Sequence, residues 1–556
     1  MSSKEPDQPV TPPGSPDHEP PAPSERSIIV RGAAIIMVGT ILSRVLGLVR
    51  EQITSWLFGT GDAVAAFTIA DNIHTMLFDL VISGMMQAAL VPVLSAYATP
   101  ELKHELRRIV GALLMMAILV IGGVVVMMEI FAPQVVTVMT ALGGGAEARD
   151  PETVELTVQL VRMILPAVLL LAISTILMST LYAMQRFTRP ALSLAARNAA
   201  IVAVVLMLGR TEFGIRAIVV GILVGAVVMI LIQAPGLKDV MPRPNFHFRH
   251  PAIKKILALY IPIAIGLMSN TVALVVDRNL AWGVDPNALG AMRYATAVNQ
   301  MILGIVAAAI SLAALPTLSR HFARGDDEAF QRTLSNGLKM VTIMVVPATL
   351  GLAAVSWPAV DLLFFHGATD DIGARAIQIA LLAYLPGTFF AAFDQVLIFS
   401  YYARQNTKTP VIVGVLAVGV YFILAFALIE PLGMAGLVLA NSAQFTFHAI
   451  VMWFLLRRLL GRVGDETVGR TIRLALFVGV IMAAIVFGIS QGMDRLPILG
   501  HDAESGAMAI LHQTLMLVVP VGIGGLIYVG GLWKLGVEEI ATIINGILRK
   551  IGLKSA

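Results

Sequence analysis

Two arginines six residues apart in an apolar stretch, Arg44 and Arg50 in Ser43-Arg44-Val45-Leu46-Gly47-Leu48-Val49-Arg50-Glu51, are the densest chemistry in the chain. On a helix, six residues turn about 600° and rise about 9 Å, which leaves the two side chains roughly 120° apart. Two guanidiniums so placed could grip a diphosphate through bidentate hydrogen bonds. The competing arrangement is structural: Arg50 and Glu51 snorkel to the outer interface, and Arg44 pairs with an acid such as Asp79. Asp71 and Asp79, eight apart on one helical face, could neutralise the arginines or bind a cation. Asp277, Arg278 and Arg293 put mixed charge in the second half, while Arg197 and Asp394 stand singly in other apolar stretches. Each of these could equally be a structural pair across helices. His448 and His512 are lone histidines on apolar faces, a setting in which packing or hydrogen bonding is commoner than proton relay.

The elements that hold these groups are set by composition. Of 556 residues, 57% are hydrophobic and 13% charged, against roughly 25% charged in a soluble domain, so a soluble enzyme is excluded. At about 20 apolar residues per crossing, a mean hydropathy of +0.83 points to a polytopic all-α membrane protein. The net charge of only +4 gives no argument for nucleic acid despite a pI of 9.3. Zero cysteines exclude disulfides and thiolate chemistry. No Walker A, His-Glu-x-x-His or Gly-x-Ser-x-Gly sequence occurs, so no enzymatic activity, metal or cofactor is expected.

Residues 1–27, with eight prolines among Ser, Asp and Glu, read as a disordered cytoplasmic tail and not as a signal peptide. Spans are expected near 28–50, 63–97, 105–131, 155–183, 190–209, 214–234, 252–282, 288–318, 331–355, 372–401, 409–430, 434–458, 468–491 and 508–533, about fourteen in all. Every second connection is rich in Lys and Arg, for example Lys103, Arg107 and Arg108, or Arg457, Arg458 and Arg462, while the others carry acids such as Asp150, Asp285, Asp370 and Asp502. That alternation predicts both termini in the cytoplasm. After the last span, Ile540, Ile543, Ile544, Ile547 and Ile551 recur at helical spacing beside Arg549, Lys550 and Lys554, which predicts an amphipathic helix on the inner membrane surface over 536–556.

The two halves resemble each other. Glu51 and Trp56 match Asp277 and Trp282 at a separation of 226, and Ala88-Ala89-Leu90-Val91-Pro92 resembles Leu312-Ala313-Ala314-Leu315-Pro316 at 224. Leu165-Pro166, Tyr182-Ala183, Gln185 and Pro190 match Leu385-Pro386, Tyr402-Ala403, Gln405 and Pro410 at 220. Six spans per repeat return the chain to its starting side, so the predicted lobes, 28–234 and 252–458, are parallel, a transporter plan with the site between them. The two extra C-terminal helices over 468–533 fall outside the repeat and would suit a lipid-tail groove.

Several motifs resemble a known family. The first-span segment from Ser43 to Glu51, Leu57-Phe58-Gly59, Ala66-Phe67 and Ala89-Leu90-Val91-Pro92-Val93 look like the opening of the MurJ/MviN lipid II flippases. Leu315-Pro316-Thr317-Leu318-Ser319-Arg320-His321, Phe364-Phe365-His366-Gly367 and Tyr402-Ala403-Arg404-Gln405-Asn406-Thr407-Lys408-Thr409-Pro410 resemble its later motifs, so the likeness runs over about 28–460. It implies the multidrug/oligosaccharidyl-lipid/polysaccharide exporter fold, alternating access without ATP, a bacterial plasma membrane, and a monomer in contact with membrane lipids and a lipid-linked saccharide. Arg44 and Arg50 match the family's diphosphate-binding arginines, and Glu51 stands where Asp is usual. Other family positions differ: Ala65 replaces an acid, Phe78 and Asp79 replace paired arginines, Ser83 a Glu, Ala297 an arginine, and Tyr421 and Ala425 the asparagines linked to sodium. Arg278 and Arg293 would compensate, giving a substrate-binding set of Arg44, Arg50, Glu51, Asp79, Arg278 and Arg293. The expected function is a flippase for a polyprenyl-diphosphate saccharide, foremost lipid II. A flippase or exporter of another glycolipid, a cation-coupled drug antiporter using Asp71, Asp79 and Asp394, and a non-transporting scaffold are the alternatives.

Overall fold

A computed structural model describes residues 25–79, 89–304, 308–461, 463, 467–494 and 507–541, and the regular elements among them are helices. The first half contains α1 (Glu25–Phe58), α2 (Asp62–Phe78), α3 (Val91–Ser95), α4 (Lys103–Ile130), α5 (Ala132–Thr140), α6 (Pro151–Ala183), α7 (Thr188–Leu208) and α8 (Arg216–Gln233). The second half contains α9 (Pro251–Trp282), α10 (Ala288–Ile302), α11 (Ala308–Ala323), α12 (Asp327–Ala354), α13 (Ser356–Leu363), α14 (Asp371–Ala403), α15 (Lys408–Leu432) and α16 (Met434–Leu460). Two further helices, α17 (Thr467–Asp494) and α18 (Ala507–Lys534), follow. Helix starts obey local chemistry. Asp326 and Asp370 accept from the backbone N–H groups of Ala329 and Gly373 at 2.9 and 2.8 Å, and Pro151 and Pro251 occupy first-turn positions where no N–H is needed.

Helices pack mainly within their own half: α2, α4 and α8 on α6, and α1 and α8 on α7, then α10, α12 and α16 on α14, and α15 on α16. The extra pair α17–α18 leans on α12 and α13, where Ile343, Val346, Val478, Met482 and Leu532 form a buried cluster. This is the two-lobed plan with two added helices. The repeat is visible in the backbone. Gln185 and Gln405 both adopt a left-handed φ of 58°, and the next residues, Arg186 and Asn406, donate back to Leu181 and Tyr401 at 2.8 and 3.0 Å. Each closes its helix with the same 6→1 bond. Left-handed geometry costs a non-glycine residue about 1–2 kcal/mol, and both side chains are exposed. Gln185→Gly and Gln405→Gly are therefore expected to stabilise the chain by about 1 kcal/mol each, read as a higher unfolding temperature; a lower one would mean the glutamine side chains hold the turns.

Ten described helices are long and apolar enough to cross a membrane: α4, α6, α7, α8, α12, α14, α15, α16, α17 and α18. The other four expected spans correspond to α1, α2 with α3, α9, and α10 with α11, the elements that carry Arg44, Arg50, Glu51, Asp71, Asp277, Arg278 and Arg293. Three boundaries differ from expectation. Helix α1 begins within the predicted tail and runs on to Phe58 instead of stopping at 50, because Glu51 is paired inside the protein and does not end the apolar stretch. The short helices α5 and α13 extend spans three and nine at equivalent places, each with a proline in its first turn or close to it. At the C-terminal end, Val537 and Ile540 are buried in the cluster with Val478 and Leu532, and Lys339 pairs with Glu539 at 3.0 Å. The first residues of the expected surface helix therefore dock on protein; 542–556 lie outside the described residues, as do 1–24 and Ser83.

Candidate functional site

The halves meet through four loops at one end of the bundle. Between α1 and α2, the Trp56 carbonyl accepts from Ala368 N–H at 2.8 Å, the Ser55 and Thr369 hydroxyls lie 2.6 Å apart, and Thr60 donates to Asn287 Oδ1 at 2.6 Å. Tyr294 on α10 donates to the Gly59 carbonyl at 2.8 Å. Arg149, in the loop before α6, pairs with Asp62 and donates to the carbonyls of Trp282 and Asp285 at 3.1 and 2.9 Å. Asn279 bonds both Val138 O and Leu142 N at 2.8 Å. A Cβ on Gly283 would collide with the Gly143 carbonyl, so the two loop backbones touch only because both residues lack one.

Just beneath this seal sits a charged cluster drawn from both halves. Glu51 on α1 is 3% exposed. It accepts from Arg50 Nε and Nη2 at 3.1 and 2.6 Å, and from Arg293 of α10 at 2.8 and 3.0 Å. Arg293 reaches on to Asp71 of α2 at 2.8 Å and lies 4.6 Å over the Phe67 ring, a cation–π contact. His74 stands 3.5 Å from the other Asp71 oxygen. Every carboxylate is thus matched, as burial demands, yet Arg50 and Asp71 side chains keep 20% and 19% exposure, which leaves the cluster reachable. The competing arrangement, in which Arg50 and Glu51 snorkel to the outer interface, is not what the helix adopts.

The remaining predicted residues are spread. Arg44, nearly two turns away on α1, donates to the Gln300 carbonyl of α10 at 2.7 Å, not to Asp79; Asp79 ends α2 in an exposed position. Arg278 contacts its neighbour Asp277 at 3.7 Å, and Asp277 accepts from Tyr421 of α15 at 2.8 Å. At the position where the family resemblance implied an asparagine, a phenol therefore fills the coordination of the acid. The structure joins Arg50, Glu51 and Arg293, leaves Arg278 outside that cluster, and adds Asp71 as a direct partner. Several guanidinium donors stay unused among the described residues: Arg44 Nε, Arg278 Nη1 and the Nε of Arg197 on α7 are buried without an acceptor there. Arg197 lies next to Asn198, which ties α7 to α1 by donating to the Ser43 carbonyl at 3.0 Å. Sequence reasoning saw Arg197 only as a single charge, and Arg149 was missed in a loop otherwise marked by its acids.

The model of the family described as "Lipid II flippase MurJ" matches residues 54–499. The chain belongs to the MurJ family. Similar relatives are a probable lipid II flippase MurJ of Haemophilus influenzae, 27% identical with 90% of this chain and 98% of the relative covered, and one of Synechocystis, 29% identical over 82% and 86%. The lipid II flippase MurJ of Burkholderia cenocepacia is 24% identical over 89% and 95%. Among solved structures, a MurJ flippase in an inward closed conformation superimposes with a TM-score of 0.71 at 21% identity, covering 90% of this chain and 99% of the other. An inward-facing MATE multidrug transporter reaches 0.65 at 15% identity over 78% and 98%. MurJ membership makes the chain a multi-pass bacterial membrane protein, and the MATE likeness is one of fold.

Proposed function

We propose that the chain moves lipid II from the inner to the outer leaflet, with Arg44, Arg50 and Arg293 gripping the diphosphate. The observation that carries this reading is the Glu51–Arg293–Asp71 bridge with Arg50 at its side: guanidiniums of both halves converge on carboxylates that a diphosphate could displace. Glu51 and Asp71 act as internal anions that keep the arginines oriented until substrate arrives, so Glu51 serves the site through its counter-ions. The unused donors on Arg44 and Arg197 give the incoming phosphates further hydrogen bonds.

Both termini lie in the cytoplasm, following the alternation of basic loops. The sealed end is then extracytoplasmic, the described state is closed to the outside, and turnover requires the seal to part while the halves rock. No ATP site is needed, since an inside-negative potential favours outward movement of an anion by about 2.3 kcal/mol per charge per 100 mV. The lipid tail follows the groove beside α17 and α18.

Complementation of a flippase-depleted strain, with lipid II measured in the outer leaflet, tests the function. A chain present at normal levels that leaves outer-leaflet lipid II unchanged would end it. At the site, Arg44→Ala and Arg50→Ala should each reduce translocation about tenfold to a hundredfold, the worth of a charged hydrogen bond. Wild-type growth and flux in both variants would remove these arginines from the assignment.

A further inference from the structure

A second ionisable pair lies in the other half, away from the cluster just described. Asp394 on α14 and His448 on α16 are 4% and 8% exposed, with carboxylate Oδ2 2.7 Å from Nδ1. The ring's other nitrogen, Nε2, lies 3.3 Å from the Pro410 carbonyl at the start of α15. Among the described residues, Asp394 Oδ1 and His448 Nδ1 are buried with no hydrogen-bond partner, so the short Nδ1–Oδ2 contact is an ion pair without hydrogen-bond alignment. Both residues line a cavity of about 250 Å³, with Tyr402, Gly414, Gln444 and Phe445. Its lining includes Tyr402 of α14 and Pro410 of α15, on either side of the basic α14–α15 turn.

The fold does not require charge at this place. At the 220-residue offset of the repeat, Asp394 corresponds to Ser174. Ser174 donates to Gln233 at 3.2 Å and Gln233 donates to Ser193 at 3.0 Å, a neutral, closed set. A buried acid facing a cavity with a free oxygen is costly unless something is bound there. A metal ion does not suit it: no cluster of three or more metal-ligating His, Asp or Glu exists among the described residues, and the site offers a single carboxylate beside an imidazole.

We propose that Asp394 and His448 form a site that binds and releases one proton through this cavity. With Nε2–H directed at the Pro410 carbonyl, one further proton, carried on Nδ1 or on the carboxylate, makes the loaded pair neutral overall. Release leaves a neutral ring and a lone carboxylate, with the proton passing to water. That charge is tolerated only when water enters the cavity and reaches Oδ1. The groups facing the pair are few: Tyr402 from α14, Gln444 from α16, and from α15 the Pro410 carbonyl among apolar side chains. On the far side of α14, charged groups are engaged elsewhere, Arg293 with Glu51 and Lys339 with Glu539. Helix α14 also joins α10 through Thr388 and Asn299 at 2.8 Å, six residues from both Asp394 and Arg293. Proton loading can therefore shift the interface at the anion cluster; this last link rests on the proposed function.

The test uses the full-length chain in liposomes, labelled with ¹⁵N-histidine, with the His448 resonance assigned by its loss in His448→Gln. In the wild type it should titrate in a single step between pH 4 and 10. In Asp394→Asn its proton affinity should fall at least tenfold, and lipid II translocation should lose its pH dependence. If Asp394→Asn does not fold, Asp394→Ser, the residue of the first half, replaces it. An unchanged midpoint in the folded variant, or a His448 that never titrates, overturns the site. A chain that titrates as stated but moves no lipid II keeps this site and loses the flippase reading; the converse result loses only the site.

Discussion

Arg293→Ala is expected to abolish translocation and to lower the stability of the folded chain by about 3–5 kcal/mol, the cost of breaking a buried ion pair from one side. The substitution strands Glu51, which is 3% exposed, with Arg50 alone, and leaves Asp71 facing only His74. Because α10 loses its charged hold on both α1 and α2, damage should appear both in thermal unfolding and in flux. Neutralising the stranded acids as well, in Glu51→Gln/Asp71→Asn/Arg293→Ala, should restore most of the stability and none of the transport. That split separates the structural need for charge balance from the use of the guanidinium on substrate. An Arg293→Ala chain of normal stability and flux would show that the bridge does neither.

A disulfide across the seal should stop turnover reversibly. The Ser55 and Thr369 hydroxyls are 2.6 Å apart, which brings their side chains close to the spacing a disulfide needs, and the chain has no cysteine of its own to interfere. In Ser55→Cys/Thr369→Cys, oxidation should cut lipid II flux more than tenfold and a reductant should restore it. Equal flux in the oxidised and reduced forms would mean that this end never opens, and alternating access through it would have to be abandoned.

Much of the fold was legible because its signals are local. Apolar run length placed the long helices to within a few residues, and the paired motifs around Pro166 and Pro386 or Gln185 and Gln405 announced the repeat that the two left-handed turns then displayed. The end of α1 was misjudged for a different reason: Glu51 looks like an interfacial residue until its partner is known, and Arg293 is 242 residues further along the chain. Pairings at such separation leave no periodic trace. The same holds for Arg149, whose acceptors Trp282 and Asp285 lie across the bundle, and for Tyr421 on Asp277. Helices α5 and α13 were absorbed into longer apolar runs because a break of one residue does not alter hydropathy.

The separation between Glu51 and Arg293 also has a consequence for how the chain is made. Synthesis proceeds at about 5–20 residues per second, so the 242 residues between them take roughly 12–50 s. During that interval α1 is already emerging with Arg44, Arg50 and Glu51 but without the helix that completes their charge balance. Arg44 and Arg50, held within an apolar helix, must wait beside Glu51 for that partner. Membrane insertion of this protein is therefore a problem of timing: a ribosomal pause or a truncation between α2 and α10 should expose an unfinished charged bundle to quality control before the second half can close it.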